Sequence, residues 1–266
     1  MNEYIAIFND TFARCKDNET LSASVTQSIK NQYVVLENET IVLEEQQLHK
    51  HHNAAKIIVS TKRTFEAAKQ YADSEKKVCA LNFANAFQPG GGVVYGCTAQ
   101  EESICRLSTL YPSIATDRMM KDFYLPHREK CSEISNGDLI YTPDVKVFKT
   151  DTYIPQMMPQ SQWFDVNVIT CAAPDLRRFS ITNQQLEQIH LFRAKRIIET
   201  AISNQNDVLI LGAFGCGAFC NNPVIVANVY KNILPNYLQA FETVEFAIFA
   251  KSEMDVNYST FKKVLV

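Results

Sequence analysis

Short, almost purely apolar runs alternate with longer amphipathic segments along the chain, and this alternation limits the possible folds more than any other feature. The runs that predict strands are KIIVS, KKVCALNFA, DVNVITCAA, DVLILGA and TVEFAIFA, with helices between several of them. Strands that are apolar on both faces need a cover on both faces, which is typical of a parallel sheet between two layers of helices. The sequence therefore predicts an α/β fold, a three-layer α/β/α sandwich with a mixed, mainly parallel sheet.

Two segments depart from this pattern. The run LIYTPDVKVF is interrupted by Pro143 and Asp144 and predicts an antiparallel hairpin or a bulged edge strand. The first fifty residues predict a helix TFARCKDNETLSASVTQSIKNQ with Asp10 as its N-cap, followed by the β-like runs YVVLE and TIVLEE. No composition shift separates them from the rest, so we expect residues 1–55 to form a helical extension packed on a core of residues 56–266, in a single structural unit.

Charge and hydropathy exclude several classes of protein. The 266-residue chain has a formal net charge of -3 and no dense run of Lys and Arg, so no direct binding of duplex nucleic acid is expected. No apolar run reaches the length of about 18 residues that a membrane span needs, and the N-terminus does not resemble a secretion signal. We therefore expect a cytoplasmic protein without membrane contacts, and a monomer as the simplest assembly.

Cysteine and histidine spacing gives little support to a metal site. None of the eight cysteines forms a C-x-x-C pair, which disfavours structural zinc and favours reduced thiols in the core. The eight are Cys15, Cys79, Cys97, Cys105, Cys131, Cys171, Cys216 and Cys220. Histidines are concentrated at His49, His51 and His52, but no carboxylate or cysteine is spaced to complete a site. A solvated turn is favoured there, and no metal is predicted.

Two glycine-rich loops follow predicted parallel strands and should lie at the same edge of the sheet, where such sheets bind ligands. The later loop, GAFGCGAFCNNP, contains Gly212, Gly215 and Gly217 before Asn222 and Pro223, a pair expected to begin a helix. Converging N–H groups and a helix N-terminus would suit a diphosphate. The spacing matches neither a P-loop nor the dinucleotide fingerprint. A tight turn that binds nothing remains an alternative.

The earlier loop joins three consecutive glycines, Gly90 to Gly92, to two adjacent glutamates, Glu101 and Glu102. Each glycine costs about 0.5–1 kcal/mol of conformational entropy relative to alanine, which indicates a geometric demand such as close approach of a ligand. Either glutamate has an alternative explanation. Thr98 and Glu101 fit a helix capping box, and Glu102 could pair with Arg106 on the surface. Neither alternative explains the glycines.

The motif NFAN…GGG followed by QEES resembles the signature of poly(ADP-ribose) glycohydrolases. The segments ESICRLSTLYPSI and LILGAFGCGAFCNNPVIVANVY resemble the microbial-type branch, and the chain is identified as a member of it by resemblance, although Asn85 is similar to the animal-type enzymes. The resemblance extends over roughly residues 21–250. It implies a macrodomain fold and hydrolysis of ribose–ribose O-glycosidic bonds to release ADP-ribose. It implies ADP-ribose, poly(ADP-ribose) or ADP-ribosylated macromolecules as partners, and no cofactor.

The same resemblance assigns roles to individual residues. Glu102 would be the catalytic acid and base, Glu101 and Asn85 would position ribose hydroxyls, and Gln100 would support their loop. The residues implied to line the distal ribose and the diphosphate are Gly90, Gly91 and Gly92. The residues implied to cradle the diphosphate are Gly212, Ala213, Phe214, Gly215, Cys216, Gly217, Ala218 and Phe219, with Phe219 near the scissile ribose.

Other functions share these motifs. A reader of ADP-ribose that does not hydrolyse it would have no use for two glutamates beside the ribose, which argues against that alternative. A hydrolase of mono-ADP-ribosylated protein or nucleobase would differ only in the leaving group, and the sequence leaves this open. A hydrolase with Cys97 or Cys216 as nucleophile is disfavoured because no histidine lies in either motif.

Overall fold

The computed structural model describes residues 2–130, 132 and 134–266, which are built around one seven-stranded sheet. The strands are β1 Tyr33–Val35, β2 Lys56–Ser60, β3 Val78–Ala84, β4 Leu139–Val147, β5 Phe164–Ala172, β6 Val208–Leu211 and β7 Thr243–Ala247. They lie in the order β1-β4-β5-β3-β6-β7-β2. The five strands from β5 to β2 are parallel, and β4 is antiparallel to both of its neighbours. The predicted mixed, mainly parallel sheet is confirmed.

Helices cover both faces of the sheet. They are α1 Glu3–Asp17, α2 Glu19–Asn31, α3 Glu45–Leu48, α4 Thr64–Ala72, α5 Gln100–Leu107, α6 Leu110–Ile114, α7 Asp117–Met119, α8 Leu125–Lys130, α9 Asn183–Ser203, α10 Pro223–Ile233 and α11 Val256–Leu265. A π-helical segment, Met120–Tyr124, joins α7 to α8. Short 3-10 turns are Val93–Tyr95, Gln160–Gln162, Leu234–Asn236 and Leu238–Ala240. None of the described helices is long and apolar enough to cross a membrane.

Consecutive residues of the central strand belong to different hydrophobic cores. Cys79 and Leu81 pack with α9, α10 and α11, whereas Val78 and Ala80 pack with α1, α4, α5 and α6. Side chains of a strand alternate between faces, so a strand covered on both sides must be apolar at nearly every position. This requirement explains the continuous apolar runs in the sequence and the three-layer sandwich that they predict.

The segment LIYTPDVKVF forms one strand, so the predicted hairpin is wrong. The register of β4 against β5 shifts between Thr142 and Val145. Pro143, which has no N–H to donate, lies in this bulge beside Asp144, whose φ is +55°. The predicted bulge is therefore correct, but β4 is not an edge strand, because β1 pairs with its outer side.

The N-terminal region begins with two helices instead of one, and the prediction of Asp10 as a cap is wrong. The side chains of Asn2 and Asn18 cap α1 and α2. Asp10 lies inside α1 and forms an ion pair with Arg14 at 2.8 Å. The β-like run YVVLE contains β1, but TIVLEE forms no strand and leads into α3.

A buried lysine holds α1 on the core. The side chain of Lys149 is only 4% exposed, and its Nζ contacts Asp10 Oδ2 at 2.7 Å and Thr11 Oγ1 at 2.7 Å. Thr11 Oγ1 in turn donates to the Arg106 carbonyl of α5 at 2.6 Å. The predicted division at residue 55 stays a prediction, and β1, which precedes it, lies in the same sheet as the core strands.

The prediction of reduced core cysteines is correct for part of the set. The buried free cysteines are Cys15, Cys79, Cys105 and Cys171. Cys97 and Cys220 are exposed and Cys216 is half-buried, so for these three the core assignment is wrong. Both exposed thiols lie in the loops that the sequence associates with a ligand, where the chain cannot be fully covered. Cys131 lies outside the described residues.

The Thr11 hydroxyl provides a test of how strongly α1 is attached. Thr11→Val preserves shape but leaves Lys149 Nζ and the Arg106 carbonyl each without one partner, so we expect the free energy of unfolding to fall by about 1–3 kcal/mol. Urea denaturation would measure the change. Thr26→Val removes the same group from the exposed face of α2 and should change stability by no more than about 0.5 kcal/mol. Equal losses in the two variants would contradict the anchoring role.

Candidate active site

The two glycine-rich loops lie at the same edge of the sheet and line one cavity of about 750 Å³. The starts of α4 and α5 and the segment after β7 complete its walls. The sequence-predicted site residues that line it are Asn85, Gly92, Gln100, Glu101, Glu102, Ala213, Phe214, Gly215, Gly217, Ala218 and Phe219. The cavity lining does not include Gly90, Gly91, Gly212 or Cys216. These four residues belong to the two loops but do not line the cavity.

Glu101 is almost completely buried and is held by two amides. Its Oε2 accepts a hydrogen bond from the Asn85 N–H at 2.7 Å, and its Oε1 accepts one from Asn82 Nδ2 at 3.1 Å. Burial raises the pKa of Glu101 to about 8, the hydrogen bonds from Asn85 and Asn82 oppose this rise, and the negative charge of Glu102 adds to it. The protonated form of Glu101 therefore predominates at neutral pH.

Glu102 presents one oxygen to the protein backbone and keeps the other free. Its Oε1 accepts a hydrogen bond from the Gly92 N–H at 2.9 Å. Its Oε2 is shielded from solvent and has no hydrogen-bond partner among the described residues. This oxygen is available to exchange a proton with a molecule in the cavity.

Both alternative explanations of the glutamates are wrong. The N-cap of α5 is Ala99, without a side-chain hydrogen bond, so Thr98 and Glu101 form no capping box. Arg106 is 2% exposed and Glu102 is 8% exposed, which excludes a surface ion pair. The Arg106 guanidinium instead donates to the Cys97 carbonyl at 2.6 Å.

The three glycines are required by the protein's own side chains. A Cβ on Gly91 would lie 2.5 Å from Glu102 Oε1, and a Cβ on Gly92 would lie 2.5 Å from Cys97 Sγ. Gly90 has φ +68°, and a Cβ there would lie 2.7 Å from the Tyr111 ring. The close approach that the glycines indicate is thus an approach to side chains of the protein, with Gly91 against the Glu102 carboxylate, and of the three only Gly92 also lines the cavity.

Asn85 and Gln100 fix the ends of this loop. Asn85 Oδ1 accepts from the N–H groups of Phe87 at 2.8 Å and Gln88 at 3.1 Å, which forms an Asx turn. Gln100 Oε1 accepts from the Phe83 N–H at 2.9 Å, and its Nε2 donates to Leu81 O at 2.9 Å. Gln100 therefore joins the start of α5 to β3, and the Nδ2 group of Asn85 is left to donate elsewhere.

The second loop is held by a residue that sequence analysis missed. Asn221 is buried, its Nδ2 donates to Pro174 O at 2.7 Å, and its Oδ1 lies 2.7 Å from His190 Nε2. Burial lowers the pKa of His190 to about 4, so the ring is neutral and can donate to Asn221. Gly215, with φ +76°, packs against Asn221 and Ala173. As predicted, Asn222 caps α10 and Pro223 is its first residue.

The other end of the cavity is formed by residues that the motifs do not contain. The Arg63 guanidinium lies 3.9 Å from the centre of the Phe249 ring, and Arg177 lies 5.4 Å from the Phe219 ring. Arg63 and Phe249 follow β2 and β7 directly, and Arg177 follows β5. Sequence analysis missed these three residues, and the one signal that points toward them is the rule that ligands bind beyond the carboxyl ends of parallel strands.

The histidine cluster and the loop cysteines are the remaining candidate groups. His51 lies near Asp207 and Glu242, with potential ligand atoms within 4.8 Å of one another. Lys50 and Lys76 already pair with these two carboxylates, at 2.6 Å and 2.7 Å. For the cysteines, burial raises the pKa of the Cys216 thiol to about 12, so it is not a thiolate at neutral pH.

Comparisons with known proteins point to one family. The family model for the catalytic domain of microbial-type poly(ADP-ribose) glycohydrolases matches residues 2–150. The structure of poly(ADP-ribose) glycohydrolase from Thermomonospora curvata is 25% identical and superposes with a TM-score of 0.88 over 99% of both chains. The complex of the Deinococcus radiodurans enzyme with ADP-ribose is 28% identical, with a TM-score of 0.77 over 91% of this chain and 96% of that one. The search of curated proteins finds no match.

The raised pKa of Glu101 gives a pH dependence of stability with a defined sign. At pH values between the ordinary pKa of a glutamate and about 8, Glu101 keeps its proton in the folded protein but loses it in the unfolded chain. The free energy of unfolding therefore falls as pH rises through this window. Glu101→Gln removes this contribution. We expect the stability of the variant relative to wild type to increase between pH 5 and pH 8, measured by urea denaturation at both values. A constant difference would contradict the assignment.

Proposed function

The chain belongs to the family of microbial-type poly(ADP-ribose) glycohydrolases, and on this premise we propose that Glu102 is the general acid and base with which it hydrolyses the ribose–ribose bonds of poly(ADP-ribose). The observation that carries this assignment is the state of the two Glu102 oxygens. Oε1 is fixed by the Gly92 N–H, whereas Oε2 is shielded from water and unpaired among the described residues, in a side chain that belongs to the cavity wall.

The reaction requires a proton and a water molecule at one anomeric carbon. The form of Glu102 that starts the reaction carries a proton on Oε2, and the departing oxygen takes this proton as the C1–O bond breaks with oxocarbenium character. Glu102 is then a carboxylate and can accept a proton from the water that attacks C1. Because Oε1 stays bound to a backbone N–H, the carboxyl group keeps its orientation through both steps. A single residue can therefore serve both halves of the hydrolysis.

Glu101 and Asn85 are proposed to hold the ribose for this attack. Glu101 adjoins Glu102 and is predominantly protonated at neutral pH, so it can donate to a ribose hydroxyl as well as accept from one. Asn85 Nδ2 can donate to a second hydroxyl, since Asn85 Oδ1 is occupied by its own turn. Fixing the ring beside the acid lowers the barrier by positioning.

Strand order supports one direction for the bound molecule. The glutamates lie beyond β3, the loop from Gly212 to Phe219 follows β6, and Phe249 and Arg63 follow β7 and β2. Neighbouring strands are about 4.8 Å apart, so the crevice spans about 14 Å from the acid to the Arg63–Phe249 pair. We propose that the distal ribose, the diphosphate and the adenosine of ADP-ribose occupy these three positions in that order, with Phe249 against the adenine.

We propose a monomeric enzyme, the simplest assembly for a site whose two glutamates and two glycine-rich loops all belong to one chain. Four free cysteines lie buried in its cores, which suits the reducing cytoplasm. We propose this compartment and ADP-ribosylated macromolecules as the setting of the reaction.

Glu102→Gln tests the catalytic assignment. Loss of the proton donor should lower kcat on poly(ADP-ribose) by about 10²- to 10⁴-fold, while ADP-ribose affinity stays close to that of wild type. Release of ADP-ribose and calorimetric binding would measure the two effects. Glu187→Gln, on the exposed side of α9, is the matched control and should retain full turnover. Wild-type turnover by Glu102→Gln would show that another group is the acid.

Gly215→Ala tests the diphosphate loop. Alanine would have to adopt φ +76° with its Cβ 2.7 Å from the Ala173 Cβ, so the loop must move. We expect the Kd for ADP-ribose to rise about tenfold, the equivalent of about 1.4 kcal/mol, as calorimetry would detect. Glu187→Gln, on the exposed side of α9, is again the control and should leave this Kd unchanged. A Kd of Gly215→Ala equal to that of wild type would contradict the proposed loop geometry.

A further inference from the structure

Strand β7 carries a carboxylate in the interior of the molecule. Glu245 is fully buried, and Val244 and Phe246 are its neighbours in the strand. These two neighbours pack into the core formed with α9, α10 and α11, so Glu245 faces the opposite layer, which contains α4. The catalytic scheme makes no use of this buried group.

Four side chains contact the Glu245 carboxylate. Ser60 Oγ donates to its Oε1 at 2.6 Å, and Lys62 Nζ lies 3.7 Å from the same oxygen. Gln70 Nε2 donates to its Oε2 at 2.8 Å, and the Tyr71 O–H donates to that oxygen at 2.5 Å. Gln70 Oε1 also accepts a hydrogen bond from Lys62 Nζ at 2.6 Å. One carboxylate therefore joins the last residue of β2 to the last turn of α4.

Stability alone does not account for a carboxylate at this position. Removal of a charged group from water is costly, and well-packed apolar side chains of similar volume often give equal or greater stability. A hydrogen-bonded carboxylate differs from an apolar side chain in that it fixes the directions of its donors. The donors here come from β2 and α4, so Glu245 fixes the geometry of the connection between these two elements.

The connection between β2 and α4 contributes a wall of the catalytic cavity. Arg63 lines this cavity, and its guanidinium lies 3.9 Å from the centre of the half-exposed Phe249 ring. The next residue, Thr64, has an anchor of its own, because its Oγ1 accepts a hydrogen bond from Gln100 Nε2 at 3.0 Å. Arg63 thus lies between this anchor and the hydrogen bonds of Glu245.

We propose that Glu245 is a positioning residue for ligand binding, which holds Arg63 against Phe249 by fixing the connection between β2 and α4. This inference rests on the proposed function, in which Phe249 contacts the adenine. A guanidinium stacked on the ring restrains a side chain that is otherwise half-exposed, so the ligand meets a preorganised surface. Glu245 touches no substrate and acts through Arg63. Its loss weakens binding and leaves the chemistry at Glu102 intact.

Glu245→Gln tests this role, because it keeps the shape of the side chain but removes the charge and one of the two acceptor oxygens. We expect the Kd for ADP-ribose, measured by calorimetry, to rise about fivefold, and the KM for poly(ADP-ribose) to rise with it. The kcat should stay within about twofold of wild type, because Gln100 still joins Thr64 to the start of α5. Lys62→Met, at a partly exposed position, should raise the Kd by a smaller factor, and it tests the same contact if Glu245→Gln does not fold.

A double-mutant cycle separates positioning from general destabilisation. Arg63→Met removes the guanidinium, so in that background the loss of Glu245 should have no further effect on binding. The Kd of the double variant should therefore equal that of Arg63→Met alone. Additive losses would refute the positioning role, and so would a wild-type Kd in both Glu245→Gln and Lys62→Met.

Glu242→Gln is the matched control. Glu242 directly precedes β7 at the opposite end of the strand and pairs with Lys76 at 2.7 Å, much as Glu245 pairs with Lys62. Its Kd and KM should equal those of wild type, and a loss as large as that of Glu245→Gln would also refute the inference. If wild type releases no ADP-ribose from the polymer, the proposed function fails, while the Kd values still decide the role of Glu245.

Discussion

The burial of two adjacent carboxylates at the start of α5 is the constraint on which the active site depends. Glu101 and Glu102 lose contact with water, and a buried carboxylate needs hydrogen-bond donors in return. The backbone N–H groups of Asn85 and Gly92 provide them, and the first turn of a helix adds a favourable dipole. A backbone can approach Glu102 this closely only where Gly91 has no side chain. The carboxylates and the glycines are therefore one structural feature, which is why they lie together in the sequence.

The layers of the fold could be predicted because a strand that is buried on both faces of a sheet has a continuous run of apolar residues. Cys79 and Leu81 of β3 pack against helices on one side of the sheet and Val78 and Ala80 on the other, so every residue of the strand except Asn82 is apolar. Predictions that relied on local preference failed where tertiary contacts decide the outcome. The run TIVLEE has the composition of a strand, but Ile41 and Leu43 instead pack singly against the core. Pro143 suggests a turn, but it lies in a bulge of β4, which continues past it and pairs with β1 on one side and β5 on the other.

The candidate site was predictable to the extent that its residues are neighbours in the sequence. Glu102 and Gly92 are ten positions apart, and the glycines point to the contact between them. The pair Arg63–Phe249 and the pair His190–Asn221 are brought together only by the fold. Arg63, Phe249 and His190 have no distinctive sequence context, and Asn221 lies in the loop GAFGCGAFCNNP, but nothing in that loop indicates its partner. The sequence also could not show which group approaches the glycines, because a ligand and a carboxylate of the protein both require a residue without a side chain at that position.

The N-terminal helices are coupled to the catalytic loop by a continuous series of contacts. Thr11 of α1 donates to the Arg106 carbonyl, and the Arg106 guanidinium lies 4.9 Å from the Tyr4 ring and donates to the Cys97 carbonyl. Cys97 Sγ packs against Gly92, whose N–H holds Glu102. A shift of α1 would therefore move the donor that orients the catalytic carboxyl group. Since positioning within a fraction of an ångström governs such chemistry, α1 supports the active site through these contacts although it does not line the cavity.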